Sequence, residues 1–423
     1  METNRAVLQR TPAYSWWVLI SATLNFMCVF IGMNTTAVFG VEIMKEWGIN
    51  EAQVSLLTTA LMIPFALMPV IASNFTSKLG IHKLVIIGML CNIGASIGIG
   101  FWGNTFISVI IFRVIQGMCG GIMDNSMVQN ASLYFPTRQR GFATGILMGF
   151  LGVGFSVTSI MGSWVYNTFH LSWQMTSMWI TVIPSVVCLV LYLATVKDFY
   201  QKYPGVESMD DLLPPDKAAA ENKYDKLFKP STMKEVLHDK RCWASSIYGF
   251  FTALPTYGLA YVLPLYLQED KGISMATASA MIGATFVFKL VAAPLGGLLS
   301  DHVFHGVRWP SNVIGHALGG ALIIAVGLMT GLKGSALQIM LIIMFTAVSL
   351  YGGTFWTWPS ALCKPSAQYE VSGLIVTVSN IAAVIAAPVS GVLISYTGHA
   401  ASAILMIGIG ALVGVIPAYL SKI

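Results

Sequence analysis

The sequence predicts an all-α polytopic membrane protein: twelve transmembrane helices in two six-helix bundles. Three observations lead there. Of 423 residues, 56% are hydrophobic and only 10% are charged, against about 25% charged in soluble domains. The apolar residues gather in runs of about 20 or more, each long enough to cross about 30 Å of hydrocarbon as a helix. One long polar break, Lys197 to Arg241, leaves six runs on either side of it. A β-barrel would show short alternating segments instead.

Taken in order, the runs place spans at 16–39, 52–74, 84–102, 105–130, 142–166 and 173–196. After the break they continue at 242–267, 275–299, 311–331, 336–359, 371–395 and 400–420. The first span opens on Trp16-Trp17 behind Arg5 and Arg10. Its apolar core is longer than that of a signal peptide and has no small-residue cleavage site, so it reads as a retained helix. The break carries nine basic and nine acidic residues with Pro204, Pro214, Pro215 and Pro230, the composition of a solvated linker, with a short amphipathic helix around Met233–His238. The domain reading is therefore 1–196, a linker at 197–241, and 242–423.

Charge gives the orientation. With the N-terminus in the cytoplasm, 18 Lys and Arg fall in cytoplasmic segments, and only Lys45, Lys271 and Lys333 fall outside. Basic residues favour the cytoplasmic side of the inner or plasma membrane. The net charge of +5 is thus a topology signal, and it does not point to nucleic acid. The six cysteines lack CxxC spacing, and no metal cluster, catalytic triad or phosphate-binding loop is present. The chain reads as no enzyme, with no cofactor and no metal, working as a monomer in the lipid bilayer.

Within the spans only Arg113, Asp124 and Lys289 carry formal charge. A charge at a helix centre costs roughly 2.5–3.5 kcal/mol on insertion scales, so these three are candidate functional residues. Lys289 lies near mid-span with no acid in its own run. Its partner is Asp124, a set of carbonyls and hydroxyls, or an anionic substrate; otherwise it is a lysine held neutral by burial. Arg113 and Asp124 are eleven residues apart, which puts them on one helix face about 16 Å apart. Asp124 is the one in-span acid, a candidate for proton coupling or a partner for Lys289. Arg113 contacts substrate or braces a neighbouring helix. Neutral candidates are Asn34, Tyr257, Trp356, Gln116 and Asn380, each also readable as helix–helix glue. Trp358, beside Pro359, reads as part of the interfacial aromatic belt. Tyr257 belongs to a stripe of Phe250, Leu254, Tyr257 and Tyr261.

Two parallel repeats place a site near the midplane between them. The 6+6 layout, across essentially the whole chain, resembles the major facilitator superfamily. Arg113-Val114-Ile115-Gln116-Gly117 resembles its RxxQG motif, which implies a cavity-lining arginine. Gly297-Leu298-Leu299-Ser300-Asp301 resembles its gating loop, implying gating roles for Gly297 and Asp301 and, in the matching first-half and span-5 loops, for Lys78 and Arg140. The stretch Phe135 to Gly145 is similar to the oxalate/formate antiporter and monocarboxylate porter groups, whose span-8 cation corresponds to Lys289. Two features depart from the pattern. Ser77 stands where the first gating loop carries aspartate, and span 5 has Gly149, Gly152, Gly154 and Gly162 in place of the Gly-Pro pair of drug/proton antiporters. The resemblance implies a secondary-active transporter working by alternating access. The expected substrate is a small organic anion, a carboxylate, moved by exchange or with protons. The alternatives are a transporter of a neutral or cationic solute (a sugar, nucleoside or drug), or a non-transporting receptor on the same scaffold.

Overall fold

A computed structural model describes residues 8–206, 209–213, 229–304, 307–364 and 367–421. It contains twelve helices long and apolar enough to cross a membrane, and no strand among the described residues. In chain order these are α1 (Ala13–Met33), α2 (Glu51–Leu79), α3 (Ile81–Trp102), α4 (Phe106–Tyr134), α5 (Thr137–Phe169) and α6 (Trp173–Thr195). Then follow α7 (Lys240–Leu265), α8 (Met275–Leu298), α9 (Trp309–Leu328), α10 (Gly334–Phe355), α11 (Gln368–Thr397) and α12 (Ala400–Leu420). Each apolar run of the sequence becomes one of them. The expected short helix forms at Met233–His238, its start capped by the Thr232 side chain accepting from the Glu235 amide.

The interior is apolar, as in a soluble protein, but the surface is apolar too and buried polar groups are frequent. Ile107, Val291 and Leu420 are 70%, 57% and 66% exposed, whereas Asn25, Asn92, Arg113 and Ser372 are at 0%. Apolar groups face outward over the whole circumference, as lipid-facing helices require. With an even number of crossings, the start of α1, the end of α6, the start of α7 and the end of α12 share a face. We call it the linker face, and the opposite one the distal face.

The first six helices meet the last six along two close pairs. In α5, Gly141, Gly145, Gly149 and Gly152 form a small-residue seam against α8. A Cβ at Gly145 would lie 2.8 Å from the Pro294 Cα, at Gly149 2.7 Å from the Leu290 Cα, and at Gly152 2.4 Å from the Phe286 carbonyl oxygen. Only hydrogen at these positions lets the two backbones touch. The second pair is α2 with α11, close at both ends. A Cβ at Gly391 would lie 3.2 Å from the Glu51 carbonyl oxygen, and one at Gly373 3.1 Å from that of Pro69.

Four spans are interrupted, α12 among them, at Gly414 between Ala400–Val413 and Val415–Ser421. Span 1 breaks after Met33 at Asn34 and continues as Thr35–Val38 and Gly40–Trp47. α8 breaks at Phe288, between Met275–Val287 and Lys289–Leu298. α10 breaks between Ser349 and Gly352 and again at Trp356-Thr357, after which a short helix runs Trp358–Leu362. These breaks correct one sequence expectation. Trp358 is no belt residue: it is fully buried, 4.9 Å from the Tyr248 ring and 5.6 Å from that of Phe355. The second break turns it inward. His316 is likewise internal, stacked 4.7 Å from Tyr351 at the first break of α10, with Nδ1 3.1 Å from the Ala411 carbonyl oxygen.

Candidate functional site

The break in span 1 leaves the last carbonyls of α1 without intrahelical partners, and a helix C-terminus attracts positive charge. Arg113 of α4 meets both needs. Its Nη1 donates to the Gly32 carbonyl at 2.9 Å and its Nη2 to that of Met33 at 2.9 Å, with a further bond to the Thr36 hydroxyl. Gln116, one turn on, accepts from Nη1 at 2.9 Å and donates to Ser96 Oγ at 3.1 Å. Both side chains are almost completely buried. The resemblance led us to expect a cavity-lining arginine. In this structure Arg113 and Gln116 brace span 1: the opened helix end supplies acceptors to both Nη atoms, while the buried Nε has no partner among the described residues.

What the brace fixes is Asn34, the residue at the break. Asn34 lines a small cavity between the two sets of six helices with Met33 and Phe155, opposite Tyr257, Ala260 and Tyr261 of α7. The cavity measures about 20 Å³, room for about one water. Tyr257 packs against Phe65 across the divide at 5.9 Å. Asn25 faces the other way, donating to the Ser21 and Cys188 carbonyls, as its nine-residue spacing from Asn34 predicts.

Asp124 and Lys289 face each other across the same divide. Asp124, on α4, is 2% exposed and its Oδ2 accepts from Asn380 Nδ2 of α11 at 3.1 Å. Lys289 is 6% exposed and begins the second segment of α8. Its stem crosses α5 at Gly152, where an added Cβ would lie 2.8 Å from the Lys289 Cβ. The two charges act on one another electrostatically. Yet among the described residues no ion pair within 4.0 Å joins them, and no protein acceptor bonds the Lys289 ammonium. The structure thus brings Asp124, Lys289, Asn380, Tyr257 and Asn34 to the interface between the helix sets. Trp356 is half-buried at the second break of α10, 4.9 Å from Phe355, and does not line the Asn34 cavity.

Of the gating candidates, Gly297 closes on the α5 seam, where its Cβ would lie 3.1 Å from the Gly141 carbonyl carbon. Arg140 donates through Nε to the Phe135 carbonyl at 3.0 Å. The side chains of Lys78 and Asp301 lie outside the described residues. Sequence reasoning missed Asn125, which follows Asp124 and bonds Ser372 Oγ of α11 at 2.9 Å. The available signal was the run Asp124-Asn125-Ser126, three polar residues in a row inside an apolar span.

Comparison with known proteins finds distant relatives over most of the chain. The chain is 25% identical over 331 residues to a phosphoglycerate transporter protein of Salmonella typhimurium, covering 72% of this chain and 67% of that one. It is 23% identical to a probable sulfoacetate transporter of Cupriavidus necator, over 89% of this chain and 86% of the relative. It is 21% identical to a hexuronate transporter of Bacillus subtilis, over 90% and 88%. The family model described as Major Facilitator Superfamily matches residues 22–387. With twelve spans, a midline divided between two sets of six helices, and a family match over most of its length, this chain belongs to the Major Facilitator Superfamily and is a multi-pass membrane transporter.

Proposed function

We propose that the protein moves a small organic anion, a carboxylate, by alternating access of two six-helix bundles, 1–196 and 242–423, joined by the linker 197–241. One observation carries the reading: Lys289 is buried at the interface, and among the described residues no protein group hydrogen-bonds it. A bound carboxylate supplies the missing acceptor through a charge-assisted hydrogen bond, about twice the strength of a neutral one. The relatives named for phosphoglycerate, sulfoacetate and hexuronate add support, since each named substrate is an acid.

Asp124 sets the coupling. Lys289 and Asp124 balance one another in charge, so a monoanion entering between them leaves one negative charge in a low-dielectric site. A proton on Asp124 restores neutrality. Anion and proton therefore travel together, with Asp124 as the proton carrier and Asn380 holding its carboxyl. Asn34 and Tyr257 supply neutral hydrogen-bonding groups on the distal side. The linker face is cytoplasmic, because the basic residues concentrate there.

The test is uptake into proteoliposomes of labelled mono- and dicarboxylates, small phosphorylated and sulfonated acids, and neutral sugars. Each is measured with and without an imposed inward proton gradient. The reading expects an acid to accumulate, more so with the gradient, and expects Asp124→Asn to lose the gradient effect while keeping exchange. Accumulation of a sugar or a cationic drug, with no acid moved, would transfer the assignment to the neutral or cationic alternative.

A further inference from the structure

The peptide between Pro69 and Val70 of α2 is bonded on both sides by groups outside its own helix. Its carbonyl accepts from Asn125 Nδ2 of α4 at 3.1 Å. Its N–H donates to Thr377 Oγ1 of α11 at 3.2 Å. Asn125 Oδ1 in turn accepts from Ser372 Oγ of α11 at 2.9 Å and from Gln129 Nε2 at 2.9 Å. The bonds close a ring: Asn125, the Pro69–Val70 peptide, Thr377, one stretch of α11, Ser372, and back to Asn125. Two members belong to the first six helices and two to the last six. Asn125 and Ser372 are 1% and 0% exposed. Gly373 lets α11 come this close, since a Cβ there would sit 3.1 Å from the Pro69 carbonyl oxygen and 3.2 Å from the Val70 Cα.

The ring lies between the Asp124–Lys289 level and the linker face, because Ser372 and Thr377 both lie nearer the linker-face start of α11 than Asn380, the partner of Asp124. Its four bonding groups are all neutral. α11 cannot part from α2 and α4 on this side without breaking both the Ser372 and the Thr377 bonds. The ring also adjoins the substrate level, since Asp124, one residue before Asn125, bonds Asn380 on the same helix.

We infer that this ring is the clasp of the linker-face gate. Asn125 is its positioning residue, and breaking the clasp is a required step in opening the site to that face. The inference rests on the alternating-access reading and is independent of whether the substrate is an anion. A neutral clasp suits a gate that must open and close repeatedly: each bond is of ordinary strength, and no bare charge is stranded when it breaks.

The test is a distance measurement by double electron–electron resonance on the full-length protein in nanodiscs. Nitroxides are placed at Lys83 and Lys364 on unnatural amino acids, so the native cysteines stay. Asn125→Ala and Ser372→Ala should each enlarge the long-distance, linker-face-open population about fivefold, the ratio expected for losing one ordinary neutral hydrogen bond. The double variant should add little to either single change. Thr377→Val, which keeps the side-chain shape, should shift the population in the same direction. Gln129→Ala removes a bond within α4 alone and should leave the distribution unchanged. An unshifted distribution in both Asn125→Ala and Ser372→Ala, or an equal shift in Gln129→Ala, would overturn the clasp. No substrate is added, so failure here is separable from failure of the anion reading.

Discussion

Arg113 and Lys289 are the same kind of group by charge and burial, and their surroundings give them opposite tasks. Arg113 finds acceptors for both Nη atoms at the broken end of α1, whereas Lys289 has none among the described residues. A guanidinium presents five donors in a planar fork that spans two carbonyls and two side chains at once, whereas an ammonium concentrates three donors at one point and reaches fewer of them. Arg113→Lys should therefore destabilise the protein by roughly 1.5–3 kcal/mol, the worth of a hydrogen bond to a charged group. It should do so without changing which solutes are chosen. Thermal unfolding in detergent, paired with the uptake panel, checks both parts. A changed substrate preference at unaltered melting temperature would mean that Arg113 touches substrate after all.

Among the helices, the α5–α8 seam and the break in α8 are one device. The glycines bring the backbones together, and Gly152 leaves the room through which the Lys289 stem reaches the interface. Gly152→Ala would place a methyl 2.4 Å from the Phe286 carbonyl oxygen and 2.8 Å from the Lys289 Cβ. Overpacking of that kind costs about 1–3 kcal/mol, and here it also moves the lysine. Gly162→Ala, with its nearest neighbour at 3.4 Å, is the matched control. We expect the Gly152 variant to raise the KM for the acid at least tenfold and the Gly162 variant to leave it within twofold of wild type. Equal KM values in the two would separate the seam from the site.

Across the whole molecule, the twelve spans were legible because membrane helices announce themselves by length and composition. So were Lys289 and Asp124, because charge inside an apolar run is conspicuous. The breaks were not legible. Span 1 opens at Asn34, where the local sequence holds no proline, and it does so because a charge from α4 caps the exposed carbonyls, a tertiary effect. The inward turn of Trp358 follows from the break in α10 and left no trace in hydropathy. The neutral clasp was hidden for a related reason, since Asn125, Ser372 and Thr377 are ordinary residues until three helices bring them together. Orientation is testable at this scale. Maleimide labelling of intact cells should reach Lys333→Cys from outside and should reach Lys364→Cys only after the membrane is permeabilised. The reverse pattern would invert the topology.

The account turns on a buried ammonium at the interface that takes its hydrogen bond from a carboxylate substrate. The most direct measurement is counterflow of the transported acid in proteoliposomes carrying wild type, Lys289→Arg or Lys289→Gln at matched reconstitution, with circular dichroism to confirm folding. Lys289→Gln should abolish counterflow in a folded, inserted protein, and Lys289→Arg should retain part of it. Wild-type counterflow of the acid by Lys289→Gln would contradict the account.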